Sequence, residues 1–576
     1  MRMFSWFGRT IVPVTVACFV FGLIPVRIWA QQPATRAQAE QDPILKAMLV
    51  ELGRNQKRLQ LDGSEKPYFI EFRIDDVVEY NARASYGALT TERSSHNRIA
   101  RVRVRVGDYK FDNSHAKVDN QMMMAMQRFG LGGDGMIGVS VIDDDPLALR
   151  FGLWNAADMA YKIALDDLAK KQAELKTVQT PPQANSFAEE KPVIVLEPVE
   201  QLAFDREAWK RGIVESSGMV LTDPQAKSFA AEIEESNGDV RATVRTEYLV
   251  NTEGTIVRKS TSEYHAETAF RAQAADGMSL DRSYPVNATS ADGLGTAEKF
   301  RSGAMKALTG LDELCKAPVV KDEYHGPVLL EGNASARGIN DLFSRAVEAR
   351  APAMGSTART TGAYNSSYQT RVLPDFLTVV DDPSLTTFAG KQLSGAYSVD
   401  DEGVPAQKVS LVQGGKLVGY LLGREPIRDF PESNGHGRAG AGQGPNPSIG
   451  VLKVDAAGGV SQDDLVKKLI AMGKDQGLTG VYEVATLAGA SQPRTLYRIK
   501  VADGSREVVR GAALGELNLH TLRSGIVAVG DTPFVYNIFG EVPQTVIAPP
   551  LLIDDLTVKE AQERDERLPY YPPPSE

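Results

Sequence analysis

The strongest constraint on the fold is an alternation of period two that recurs near the start of the chain. Tyr68, Ile70, Phe72 and Ile74 interleave with Phe69, Glu71, Arg73 and Asp75, and Val102, Val104 and Val106 interleave with Arg101, Arg103 and Arg105. Successive side chains of a strand point to opposite faces, so each run predicts a strand with one apolar face on a core and one polar face in water. The arginine row has the spacing of a phosphate groove, but no aromatic side chains interleave with it to stack bases, and a solvated strand face is the expected environment. Charge points the same way. The chain has 64 Lys and Arg against 74 Asp and Glu, whereas nucleic-acid binding is driven by clustered cations that release phosphate counterions.

From Pro146 the period changes to that of a helix. Leu149, Leu153, Ala157, Tyr161, Ala164 and Leu168 form a stripe, Asp145 can cap, and Asp158 with Lys162, Asp166 with Lys170 and Asp167 with Lys171 are acid-then-base pairs four apart. The spacing predicts a helix over 146–175. Lys176 to Pro192, with three prolines, reads as a linker. A further helix is expected near Asp223 to Glu235, then a meander of strands turning at Asn251 to Gly254. Late in the chain, Lys408 to Val412 and Leu417 to Leu422 flank Gln413-Gly414-Gly415-Lys416, a hairpin signal.

The chain opens with an export signal: Arg2 and Arg9 flank a short basic region, and the apolar run from Ile11 to Val26 is 16 residues, short of the roughly 18 to 20 that span a bilayer. Cleavage can follow Ala30 or Ala39, and Arg27 just after the run leaves a retained anchor as the alternative. The mature chain is then expected in the periplasm or secreted, without a membrane span. Cys18 lies in the signal, so Cys315 stands alone, no internal disulfide forms, and a small buried apolar role is expected for it. Composition divides the chain into the signal (1–30), a polar arm with a helix (31–65), a sheet with a long helix (66–178), a linker (179–199), a strand-rich middle (200–323), a β-rich C-terminal region (324–558) and a charged tail (559–576). The fold class is α+β: an N-terminal α/β domain with an antiparallel sheet, a strand-rich middle and a β-rich C-terminal domain.

Local motifs for chemistry are sparse. The histidines at 96, 115, 265, 325, 436 and 520 never come as HxH or HExxH, and His265 is a lone histidine within a strand. Ser302 and Ser524 lack the GxSxG frame that exposes a nucleophile. Gly435 to Gly440 fits GxGxxG by letter, without the strand before and helix after that place amides on a phosphate; a mobile glycine loop lining a binding site is expected instead. Asp400, Asp401 and Glu402 before Gly403, and Asp381 with Asp382 before Pro383, suit a hard cation or an acid-base pair, and equally suit turns. In Glu331 to Arg350, Ile339, Leu342, Phe343, Ala346 and Val347 form an apolar stripe, while Arg337, Asp341 and Arg345 follow one another four apart with Glu348 three beyond. By pattern alone that is a charged surface ladder.

HGPVLLEGNASARGINDLFSRAVEAR, then LPDFLTVVDDPSL, YSVDDEGVPAQKVSLVQGGKLVGYLLGRE, SNGHGRAG and APPLLIDDLTV, from Tyr324 to Val558, resemble in order and spacing the C-terminal half of the TldD/PmbA family of zinc metallopeptidases. In that family the TldD-type subunit carries HExxxH on this helix and completes its zinc site with a cysteine near the C-terminus. In register, the first histidine falls on Asn340, the glutamate on Asp341 and the second histidine on Arg345, and no cysteine follows Val529. The resemblance therefore implies a PmbA (TldE)-like, exported chain with no confident catalytic or metal-ligating residue. It would bind extended or unfolded peptides, or support a TldD-type paralogue or a second copy, with zinc supplied only by that partner or by non-standard ligands. Candidates for peptide contact are Glu402, Gly403, Gly435, His436 and Gly437. Two alternatives stand beside it: an active metallopeptidase whose ligands are His325, His436, Asp400 and Asp401, and a non-enzymatic envelope protein with a binding or structural role.

Overall fold

The computed structural model describes residues 34–115, 136–179, 182–224, 226, 233–515 and 517–561. The segment expected to be an export signal and the part of the expected tail beyond residue 561 lie outside them; Lys559 and Glu560, assigned to the tail, extend the last strand. Among the described residues no helix is long and apolar enough to cross a membrane.

The alternating segments are parts of two long strands, β1 (Phe69–Ser85) and β2 (Ala88–Arg105). With β3 (Met136–Val139), β4 (Ile194–Leu196), β5 (Ile233–Asn251), β6 (Ile256–Gln273) and β7 (Ser279–Ala288) they form one sheet, ordered β3-β2-β1-β5-β6-β4 with β7 also on β6. The N-terminal and middle stretches thus share a sheet. Their patterns are alike, and the antiparallel pairing of β1 with β5, from Glu71 opposite Asn251 to Ser85 opposite Asn237, gives both a common apolar face.

Helices cover that face. α1 (Pro43–Arg58) and α2 (Pro146–Leu175) both begin at an Asp-Pro pair whose aspartate, Asp42 or Asp145, accepts the first free N–H groups. Ile44, Leu45, Met48 and Leu52 of α1 and Leu149, Leu153, Ala157, Tyr161 and Leu168 of α2 are buried with Ile70, Phe72, Ile74, Val102, Val104 and Val250. The segment expected to be a polar arm is therefore part of the core. Further along the sheet, α3 (Arg206–Thr222) and α4 (Ala297–Lys316) bury Trp209, Ile213 and Phe300 on Tyr80, Val240, Ala242 and Tyr264. Cys315 is buried in an adjoining cluster with Met219 and Leu311. α3 corrects the helix expected near 223–235, of which residues 225 and 227–232 lie outside the described residues; Ile233 already begins β5. The buried face of α3 includes Gly212, Ser216, Ser217 and Gly218, and such small residues hide the apolar period.

The C-terminal half holds two more sheets. One joins β8 (Tyr324–Leu330), β13 (Gly480–Gly489), β14 (Gln492–Lys500), β15 (Arg506–Val509), β16 (Ala512–Gly515), β17 (Ile526–Val529) and β20 (Leu551–Glu560) in the order β15-β14-β13-β8-β20-β16, with β17 also on β20. The other runs β11-β10-β9-β12-β19-β18, from β9 (Leu377–Asp381), β10 (Val409–Gln413), β11 (Lys416–Leu417), β12 (Val451–Ala456), β18 (Phe534–Ile538) and β19 (Gln544–Ala548). β10 and β11 are the expected hairpin, with Gly414 and Gly415 at positive φ in its turn. The second strand is shorter than its apolar run. Both sheets share a core with the helix that follows β8.

Candidate functional site

Two polar constellations matter, and the first is the seam between the halves. On the other face of the first sheet, Glu71, Arg73, Asp75, Arg101, Arg103 and Arg105 are each at most 4% exposed. The solvated face expected from the alternation is instead covered by the glycine segment 433–447. Arg73 donates to the carbonyls of Gly440 and Gln443 at 3.0 and 2.6 Å, Arg101 to that of Gly442 at 3.3 Å, and Arg245 to that of Ala439 at 2.9 Å. Asp75 accepts the Gly442 N–H at 2.8 Å. Alternation marks a face as polar but carries no information about what covers it.

The acidic turn completes the clamp. Asp400 accepts the N–H groups of Glu402, Val404 and Gly437 at 2.9, 2.8 and 2.9 Å. Asp401 accepts from Lys259 Nζ at 2.5 Å, Arg438 Nε at 3.3 Å and the Ala439 N–H at 2.6 Å. Glu402 accepts from Arg103 at 3.0 Å and from the Arg424 N–H at 2.6 Å. Burial would raise the Asp401 carboxyl, but Lys259, Arg438 and Arg245 hold it well below the usual carboxylate range; burial and the neighbouring Glu402 push Asp400 up. A Cβ on Gly437 would stand 2.4 Å from Glu402 Oε2, so glycine is needed for the loop to lie against that carboxylate. His436 is fully buried, with Nε2 3.1 Å from Asp381 Oδ1 and Nδ1 2.9 Å from the Asn434 carbonyl. Even the predicted linker is tied in: Phe187 lies between Arg105 and Arg424, whose guanidinium carbons are 4.0 and 4.1 Å from its ring centre.

These placements correct several expectations. Glu402, Gly403, Gly435, His436 and Gly437 are buried, so they present no surface to a peptide, and the glycine segment is packed core rather than a mobile loop. The proposed ligands do not converge. His325 is exposed on β8, 3.2 Å from Thr557 Oγ1, beside a cavity of about 450 Å³, while His436, Asp400 and Asp401 are engaged as described. Among the described residues these four form no group with metal-ligand separations. Asp239, His265 and Glu267 do, although the sequence singled out only His265, as an isolated residue.

The second constellation is the helix after β8, in three continuous parts: α5 (Gly332–Ile339), a π turn over Asn340–Ser344, and a last α turn over Arg345–Val347. It leaves the strand abruptly because Gly332 can lie against Phe534, where a Cβ would stand 2.5 Å from the Phe534 Cβ. Buried Ala334, Ser335 and Ala336 admit close approach to the sheets, and Ser335 Oγ donates to the Pro549 carbonyl at 2.6 Å. Ile339, Phe343, Ala346 and Val347 fill the core.

The π turn has a geometric consequence. In an α-helix residues five apart sit about 140° apart around the axis, but a π turn links i with i+5 and brings them toward one side. Positions 340 and 345 are five apart, the spacing of the two histidines in HExxxH. The backbone that such a pair requires is kept while the side chains differ. Asp341 Oδ2 accepts from Arg337 Nε at 2.9 Å and its Oδ1 from Asn340 Nδ2 at 3.2 Å; Arg337 also donates to Tyr536 Oη and the Ala488 carbonyl. Arg345 is exposed. Glu348 is half-buried at the helix end, and burial, opposed by Arg350 and Arg345, pushes its carboxyl up to about 7. The pattern had made Glu348 a surface rung; only its burial reveals otherwise.

These residues do not fit zinc, which takes imidazole, thiolate or free carboxylate ligands. Asn340 offers a neutral amide, Arg345 a permanent cation, Asp341 is ion-paired, and no cysteine lies between Val529 and Val558.

Comparison with known proteins fits this architecture. Residues 323–560 match the PmbA/TldA metallopeptidase C-terminal domain. A metalloprotease of Archaeoglobus fulgidus is 26% identical over 244 residues, 39% of this chain and 53% of that protein, so the match spans about half the length of that relative. The crystal structure of TldE from Thermococcus kodakarensis superposes with a TM-score of 0.56 at 14% identity, over 89% of this chain and 100% of the other. A protein described as a modulator of DNA gyrase from Thermotoga maritima gives 0.56 at 14%, over 89% and 99%, and one from Bacteroides thetaiotaomicron gives 0.53 at 12%, over 91% and 99%. At such identities the structures speak to the fold alone. The C-terminal part of the chain, residues 323–560, is thus similar to the PmbA/TldA metallopeptidase C-terminal domain, and the chain as a whole shares the fold of TldE.

Proposed function

We propose that this chain is a zinc-free, PmbA-like subunit that binds extended peptide or supports a partner carrying HExxxH. The observation that carries the reading is the helix after β8, which keeps its π turn while Asn340 and Arg345 stand where imidazoles are needed. A general base beside zinc must be free to take a proton from bound water. Asp341 is held by Arg337 instead.

The peptide half of the reading rests on β18. It ends its sheet, it is mostly half-exposed, and its Tyr536 touches the helix through Arg337. Among the described residues no strand pairs with its outer edge, and an extended peptide can add to such an edge through main-chain hydrogen bonds. Export from the cytoplasm belongs to the same proposal and rests on residues 1–30.

The test uses the purified chain, alone and mixed with an HExxxH-bearing paralogue, with unfolded casein as probe. The chain alone should show no chelator-sensitive cleavage, and the mixture should co-elute and cleave. Cleavage by the isolated chain that is lost both to chelator and in Asp341→Ala overturns the proposal.

A further inference from the structure

Outside the matched domain, the sheet surface beyond the seam carries a second group of donors. Asp239 on β5 lies opposite Glu267 on β6, and His265 on β6 lies opposite Asn287 on β7. Residues 239, 265 and 267 alternate with the buried Val240 and Ala266, so all three side chains stand on the face away from the helices. His265 Nε2 is 3.4 Å from Asp239 Oδ2 and 3.8 Å from Glu267 Oε2, and all three donor atoms lie within 4.8 Å of one another.

We infer that Asp239, His265 and Glu267 form a three-ligand site for a divalent transition ion of the zinc type, open to solvent at its fourth position. Bonds of 2.0 to 2.2 Å in a tetrahedron put neighbouring donors about 3.4 Å apart, close to the two separations found here. The ring is oriented from outside the group: Nδ1 lies 2.6 Å from Asn287 Oδ1. A ligating imidazole is oriented in this way, its other nitrogen donating to an oxygen so that Nε2 presents its lone pair. Between the two carboxylates a positive charge is favoured, and it is supplied either by an ion on the Nε2 lone pair or by the proton of an imidazolium. Among the described residues no lysine or arginine is ion-paired with Asp239 or Glu267: Arg241, opposite His265 in register, acts on Glu263, and Arg83, opposite Asp239, is exposed. Two paired strands hold the donors and a third holds Asn287, so little ordering is left for binding to impose.

The turn after β18 reaches the same face, where the Gly540 N–H donates to Glu263, two residues before His265. The ion would be a property of this chain's sheet and independent of the π turn.

The experiment is a titration of the chelator-stripped chain with cobalt(II), read by its visible ligand-field bands, and with zinc by calorimetry. One equivalent of each should bind. His265→Ala should weaken binding at least about 100-fold and Asn287→Ala about tenfold, with unchanged thermal melts in the absence of metal. Asn340→Ala with Arg345→Ala should leave binding as it is. No stoichiometric uptake, or uptake indifferent to His265→Ala, means that the group is only an imidazolium between two carboxylates, and overturns the inference. Uptake lost in the Asn340, Arg345 variant and kept in His265→Ala overturns both this inference and the zinc-free reading of the helix.

Discussion

The seam and the helix after β8 carry similar side chains to opposite ends. At the seam, Asp400, Asp401 and Glu402 meet Lys259, Arg103, Arg438 and main-chain N–H groups in an interior that water does not reach. On the helix, Asp341 has one guanidinium and an amide at a half-open surface, and Arg345 faces water. The acidic turn and glycine loop look like chemistry in sequence because they are dense in carboxylates and glycines. Their hydrogen-bonding capacity is spent on joining two halves of the chain. The helix looks bland, yet its backbone departs from α geometry at the one place where two side chains five apart must face the same way. What separates the two is whether the carboxylates are enclosed with their partners or left at a surface that water reaches.

The sharpest way to break this contrast is Asp401→Asn. It leaves Lys259 and Arg438 buried without their shared counter-charge, and removal of one partner from such a pair costs about 3 to 5 kcal/mol. Urea unfolding should show that loss. A loss below about 1 kcal/mol would mean that water enters the seam, which would then be reconsidered as a binding surface. Acid probes the same place. Burial would raise Asp112, but Arg105 beside it holds its carboxyl at about 2, below the ordinary 3.8. Its folded value is depressed, so its stabilisation is complete above 3.8 and is lost as pH falls through 2. Stability should therefore drop between about pH 4 and 2, and the drop should shrink in Asp112→Asn.

Glu348 tests the helix side with the opposite sign. Its folded value is raised from 4.5 to about 7, so the fold favours the neutral acid. That stabilisation is complete below 4.5 and is lost as pH rises through 7. Glu348→Gln, which mimics the neutral form, should be more stable than the parent by about 1 to 3 kcal/mol at pH 8 and gain nothing at pH 4. Thermal melts at both values decide it. An equal difference at the two pH values would put Glu348 in water, with the ladder that its spacing suggested.

The legible parts of the molecule were those set by local pattern. The helix at 146–175 has its Asp-Pro start and stripe in the sequence, and the structure has it at Pro146–Leu175. The hairpin at Gln413 to Lys416 was equally local. The resemblance of the C-terminal half to the TldD/PmbA family was legible too, and residues 323–560 match that family's C-terminal domain. The burial of Arg101 and Arg103 was not legible, because Gly442 and Glu402, which they meet, lie 341 and 299 positions away. The convergence of Asp239 and Glu267 on His265 was hidden for a related reason. It depends on the register between β5 and β6, which no spacing within either strand encodes. The π turn was hidden as well, since Asn340 to Ser344 read as an ordinary helical stripe.

The smallest expected effect is the most informative about the helix. Arg337 and Asp341 are about one third and one fifth exposed, and a pair at i and i+4 with that access to water contributes about 0.3 to 1 kcal/mol. Asp341→Ala should cost no more than that, measured by urea unfolding beside Asp401→Asn. A loss of several kcal/mol would make Asp341 a buried structural anion like those of the seam, and the helix would be a second clamp. A small loss keeps the polar side of the helix free of structural duty. The π turn would then persist without help from the ion pair on its surface, held by Ile339, Phe343 and Val347 in the core. Backbone geometry that depends on core packing is indifferent to the side chains at 340 and 345, because substitutions at these outward positions leave that packing untouched.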